Sequence, residues 1–144
     1  MLGDEWFGGY GRSRELRMLG AGGLVGGVVG RMVERVEGGR GERLAVVGCH
    51  DRTVGVVLGS LGCFGGERWP GFVSWVGFEL LRRGGRGETP GGVGREGGKY
   101  GDYFVRVKYN DRAMVVPGCR AEGNNFEGDP SVCTLVSFLV EYTR

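Results

Sequence analysis

Leu44-Ala45-Val46-Val47-Gly48-Cys49-His50-Asp51-Arg52-Thr53 decides how this chain reads: an apolar run ends in the only histidine of the 144 residues, and an acid follows at once. A short run rich in valine and bounded by turn signals predicts a strand over residues 44–48, buried on both faces as in the parallel sheet of an α/β domain. Functional groups in such sheets gather at the carboxyl ends of the strands. His50 and Asp51 fall at that end.

On the carboxyl side, Thr53 is placed to cap a helix whose apolar positions are Val54, Val57, Leu58 and Leu61 and which ends at Gly62. His50 and Asp51 therefore lie in a strand-to-helix turn, where free N–H groups and the helix dipole favour an anion such as phosphate. On the amino side, Leu24, Val25, Val28, Val29, Met32, Val33 and Val36 keep one face of a helix over about 20–37, which Gly38-Gly39 stops. Gly26, Gly27 and Gly30 weaken it by about 1 kcal/mol each relative to alanine, so it depends on packing. The cluster Gly20, Gly22, Gly23, Gly26 lacks the G-x-G-x-x-G spacing and a preceding strand, and reads as a glycine-rich helix lead-in.

Further along, residues 62–70 form a loop, and 73–81 read as a strand in which Trp75 packs with the aliphatic side chains. The stretch at about 82–101 is charged and glycine-rich and reads as an insertion or long hairpin loop. Tyr103, Val105, Val107 and Tyr109 alternate with Arg106 and Lys108 on a strand that turns at Asn110-Asp111-Arg112 into a hairpin ending near Val116. Leu135, Phe138, Leu139 and Tyr142 share one face of a C-terminal helix. Trp6, Phe7 and Tyr10 are candidate anchors of the first segment, and no repeat or second domain is visible.

Composition bounds the function. The 19 basic and 17 acidic residues are scattered, without the basic stripe and interleaved aromatics of a nucleic-acid interface. No apolar run approaches the roughly 18 or more residues of a membrane span, so no membrane partner is expected, and Met1-Leu2-Gly3-Asp4-Glu5 lacks the pattern of a signal peptide. The 33 glycines, against a usual share of about 7%, predict a loose structure. Cysteines at 49, 63, 119 and 133 lack the close spacings of a zinc site, so neither metal nor other cofactor is expected. Cys119 and Cys133 flank a loop that can close as a disulfide in an oxidising compartment; Cys49 reads as a small buried hydrophobe.

By itself the His50-Asp51 pair supports two readings: a histidine hydrogen-bonded in a turn with Asp51 as a cap, or a site. Metal-dependent phosphohydrolases need further histidine ligands, and a Cys49-His50 dyad is disfavoured because neighbours on a strand point to opposite faces.

Gly48-Cys49-His50-Asp51-Arg52-Thr53 with its helix, Leu61-Gly62, Trp69-Pro70, Phe78-Glu79-Leu80, Tyr103-Phe104-Val105-Arg106-Val107, Tyr109-Asn110, and then Cys119 and Cys133 resemble the C-terminal part of a histidine acid phosphatase. This is the phytase-containing branch of the histidine phosphatase superfamily, and the match runs from about Trp6 to the end. The resemblance implies part of a phosphoglycerate mutase-like three-layer α/β/α fold with an incomplete sheet, residues 1–144 forming one partial domain. It implies hydrolysis of phosphorylated small molecules through a phosphohistidine, without a metal. His50 would be the second histidine, donating to the phosphoryl oxygens, and Asp51 the acid that protonates the leaving oxygen.

The family's nucleophile comes from an Arg-His-Gly-x-Arg-x-Pro segment, and no Arg-His-Gly occurs here. The expectation is a chain that is weakly active or inactive by itself; the alternative is a non-catalytic phosphate-binding or interaction module. Arg52 stands where the family often has Thr or Asn, and reads as a solvated loop residue. Family members are often secreted, whereas this amino terminus carries no export signal, which leaves compartment and oligomeric state open.

Overall fold

The computed structural model describes residues 13–38, 42–64, 69–84 and 98–143. Trp6, Phe7 and Tyr10, and residues 85–97 of the glycine-rich insertion, lie outside them. Among the described residues the architecture is mixed α/β, an open antiparallel sheet of five strands with three helices.

Helix α1 spans Arg14–Val36, with a π-type turn at Met18–Gly22. It begins earlier than the apolar periodicity predicts. Ser13 Oγ accepts the Leu16 N–H at 3.3 Å, and Arg14-Glu15-Leu16-Arg17 are strong helix formers that carry the helix back to this cap. Its 23 residues are long and apolar enough to cross a membrane, yet Ala21, Val25, Val29 and Met32 form a buried stripe that belongs to the common core. Gly38 follows the helix in the left-handed region, φ +91°.

Helix α2 spans Asp51–Ser60 and ends at the glycine that the sequence marks. Gly62 adopts φ +66°, its N–H donates to the Gly59 carbonyl, and the Cys63 N–H reaches back to the Leu58 carbonyl at 2.9 Å. This double closure satisfies the last carbonyls of the helix. A Cβ on Gly62 would stand 2.9 Å from Pro117 Cγ, so both backbone and space require glycine here.

The strands are β1 (Val76–Arg82), β2 (Tyr103–Tyr109), β3 (Arg112–Met114), β4 (Asn125–Phe126) and β5 (Asp129–Thr134). β2 is the spine. It pairs with β1 from Val76↔Tyr109 to Arg82↔Tyr103, and on its other side with β3 through Val107–Tyr109 and with β5 through Phe104–Arg106. All pairings are antiparallel, and β4 extends the sheet beyond β5. Helix α3, Leu135–Thr143, follows β5 directly, its first turn capped by Thr134 Oγ1, which accepts the Ser137 N–H.

Because side chains alternate along a strand, Phe78, Leu80, Val105 and Val107 share one face of the sheet, and there they join buried residues of α1, α2 and α3 in a single core. Leu58, Leu135 and Phe138 are 0% exposed, and Phe138 packs against Phe78 and Tyr142 with ring centroids 6.4 and 4.7 Å away. The opposite face carries Glu79, whose carboxylate meets Arg106 Nε at 2.6 Å and Lys108 Nζ at 3.3 Å. Partial burial acts to raise the Glu79 pKa, but the Arg106 and Lys108 bonds prevail and hold it below the usual carboxylate value.

Two expectations fail here. Residues 44–50 have no sheet partner among the described residues, and Leu44, Val46 and Val47 are 80%, 85% and 61% exposed instead of buried. Valine-rich composition encodes an extended backbone, but burial needs a neighbouring strand, and every described strand lies after residue 75 and pairs antiparallel. Cys49 shares this exposure, so it is not a buried hydrophobe. The second concerns residues 73–75, which do not belong to β1. Val73 takes φ +64°, rare for a β-branched residue, and Trp75 leaves the core to lie over Gly77, where a Cβ would stand 2.5 Å from its ring.

Candidate active site

The segment 42–50 is tied at its start by the Glu42 carboxylate, which pairs with Arg31 of α1 at 3.1 Å, and it delivers its last residue, His50, to the head of α2. His50 is the N-cap by backbone, with φ −101° and ψ 163°, and its carbonyl accepts the first helical bond from Val54 N–H at 3.2 Å. Its imidazole makes no cap bond and is exposed. The reading of a histidine held in a turn therefore does not describe it.

Asp51 begins the helix, two residues before the expected cap, and Thr53 lies inside the first turn. The reason is local. Asp51 Oδ1 accepts the N–H of Arg52 at 2.7 Å, so the carboxylate supplies from the first helical position the service expected of Thr53. Asp51 Oδ2 accepts the indole N–H of Trp69 at 2.6 Å. These bonds, the Trp69 one foremost, with the nearby charges of His50 and Arg52, hold the Asp51 carboxyl below its usual pKa.

Trp69 opens a loop that crosses from the head of α2 to the sheet. At its far end the Trp75 N–H donates to Asn110 Oδ1 at 3.1 Å and the Trp75 carbonyl accepts the Asn110 N–H at 2.9 Å, while Ser74 Oγ lies 3.5 Å from the Tyr109 hydroxyl. Between these anchors Phe72 and Val73 stand fully in solvent. The loop gives the His50-Asp51 surface an aromatic neighbour, and no pattern in the sequence connects Trp69 with an acid eighteen residues earlier; in sequence it is visible only as part of the Trp69-Pro70 motif.

Asp51 and Arg52 are exposed, so the pair sits on an open surface. A cavity of about 60 Å³ lies at the other end of α2, lined by Arg14, Arg17, Ser60 and Tyr142 among others, and does not include His50 or Asp51. Among the described residues no three of His, Cys, Asp or Glu come together as a metal site.

Cys119 and Cys133 form a disulfide that joins a 3₁₀ turn, Pro117–Cys119, to β5. Both are buried, and Asn124 and Asn125 close the loop between them by donating to the carbonyls of Gly118 and Cys119, each at 2.9 Å. Cys63 is buried and unpaired with another cysteine; burial pushes its thiol up to about 12.

No family model and no solved structure matches the chain. It is 30% identical over 166 aligned positions to a probable acid phosphatase of Schizosaccharomyces pombe, a match that takes in 94% of this chain. The chain spans about a third of that relative's length, 35%. At the level the comparison reaches, the chain is similar to a phosphatase.

Proposed function

We propose that the chain carries the acid and electrostatic part of a phosphomonoesterase site of the histidine acid phosphatase kind, within a domain related to the phosphoglycerate mutase-like α/β/α fold. The observation that carries the reading is the placement of His50 and Asp51 side by side at the exposed head of α2, in a chain similar to a phosphatase. The substrate class is a phosphorylated small molecule. The His50 imidazole donates to phosphoryl oxygens, and the first-turn N–H groups of α2 add to the favourable field for negative charge. Asp51 gives its proton to the leaving oxygen as the P–O bond breaks and its electron pair stays on that oxygen. The phosphoryl group passes to a second histidine, and these 144 residues contain only one. The isolated chain is accordingly weakly active or inactive.

The test is turnover of an aryl phosphate at acid pH by the purified chain. The expected result is little or no turnover, with any residual rate removed by His50→Ala. Robust turnover would refute the inactivity claim, and turnover indifferent to both His50→Ala and Asp51→Asn would refute the site.

A non-catalytic phosphate-binding module is the second reading. Its support is the single histidine together with the bonds from Trp69 and Arg52 to Asp51, which favour the carboxylate over the proton-carrying acid. Calorimetric titration of a demonstrably folded sample with inorganic phosphate tests it, and undetectable binding disposes of it.

A further inference from the structure

Asp51 has two carboxylate oxygens, and each already accepts one hydrogen bond: Oδ1 from the Arg52 backbone at 2.7 Å, Oδ2 from the Trp69 indole at 2.6 Å. The first bond is internal to α2. The second comes from a loop fastened to the sheet through Trp75 and Asn110. An indole N–H donates only and cannot accept. Trp69 therefore excludes the Asp51 proton from the lone pair it occupies, and ties the carboxyl to the loop that runs on to Trp75.

We propose that Trp69 is a positioning residue for Asp51, aiming the carboxyl so that its proton sits on the outward lone pairs that face the leaving oxygen of a phosphomonoester. This rests on the reading of Asp51 as a proton donor. Hydrogen bonds to a charged acceptor are the stronger kind, so loss of the Trp69 donor favours the protonated form of Asp51. The charged groups facing Asp51 are His50 from the segment 42–50 and Arg52 on α2; both favour the carboxylate, in the same direction as the Trp69 bond. No acid opposes them among the groups that act on Asp51.

The experiment is a pH titration of the full chain by NMR, following the Asp51 side-chain carbonyl carbon and the Trp69 indole N–H. In the native protein both resonances are expected to move through the same transition. Trp69→Phe, which keeps an aromatic ring and deletes the donor, is expected to shift the Asp51 transition to higher pH and to leave that of Asp129, which is held by Ser131, unchanged. An indole resonance blind to the Asp51 transition overturns the inference without any variant, so a misfolded Trp69→Phe does not shield it. An Asp51 transition unmoved in folded Trp69→Phe overturns it equally. These readouts do not depend on turnover. If they hold while phosphate binding ignores His50 and Asp51, the phosphatase reading falls, and with it the catalytic purpose assigned to Trp69.

Discussion

Breaking the Cys119–Cys133 disulfide should cost this fold about 3 kcal/mol. The two cysteines are 14 residues apart. In the chain-entropy treatment a closed loop of about 15 residues loses close to 10 cal/mol/K of unfolded-state entropy, which is about 3 kcal/mol at room temperature. The structure gives little reason for a smaller effect: Cys133 lies in β5 opposite Val105 of the central strand, and both sulfurs are buried where a pair of alanines leaves space behind. The bonds from Asn124 and Asn125 to the backbone of Gly118 and Cys119 hold the same loop and keep its native shape accessible without the covalent link. The perturbation is the Cys119→Ala, Cys133→Ala double variant, measured by urea unfolding beside the oxidised protein. With a slope of about 2 kcal/mol/M for a domain of this size, the midpoint should fall by roughly 1.5 M. A fall of less than about 0.5 M at an unchanged slope would refute the argument, because the loop would then already be restricted in the unfolded chain.

Other consequences follow from the same contacts. Cys49 is exposed and Cys63 is buried with its thiol pushed up to about 12, so a thiol reagent should modify Cys49 in the native protein and reach Cys63 only on unfolding; two equally fast sites would contradict the burial of Cys63. Phe138→Ala, at a fully buried ring between Phe78 and Tyr142, should cost about 3–5 kcal/mol in the same unfolding assay. The Asp129 carboxyl is lowered first by the Ser131 hydroxyl and then by the Ser131 N–H. A lowered native pKa means that this stabilisation is complete above the unfolded pKa and is lost as pH falls through the native one. Asp129→Asn should therefore be less stable than the native chain at neutral pH and indistinguishable from it in strong acid; a difference that persists there would point to a cause other than the carboxylate.

Much of the fold is legible in the sequence, because local patterns and tertiary packing agree there. The alternation Tyr103, Val105, Val107, Tyr109 gives β2, and Val105 and Val107 are in the core. Leu135, Phe138, Leu139 and Tyr142 give α3, and Gly62 gives the end of α2. The errors come where a decision depends on a distant partner. The apolar run 44–48 states that it will be extended but not what will cover it. Trp75 states that it is hydrophobic but not that Asn110 will take its backbone and leave its ring on Gly77. At the site, His50-Asp51 is readable as a pair at a helix start, and the motif order gives its resemblance. Asp51 and Thr53 are both readable as capping residues, and it is Asp51 that takes the helix-start N–H; the bond from Trp69, eighteen residues away, to its second oxygen is not readable.

The direct test of the central claim, that His50 and Asp51 form a phosphate-handling surface, is titration of the folded chain with inorganic phosphate while the His50 imidazole resonances are followed. Binding should perturb His50 and should vanish in His50→Ala. Phosphate that binds with the same affinity in His50→Ala, or leaves the His50 resonances unmoved at every pH, would contradict the account.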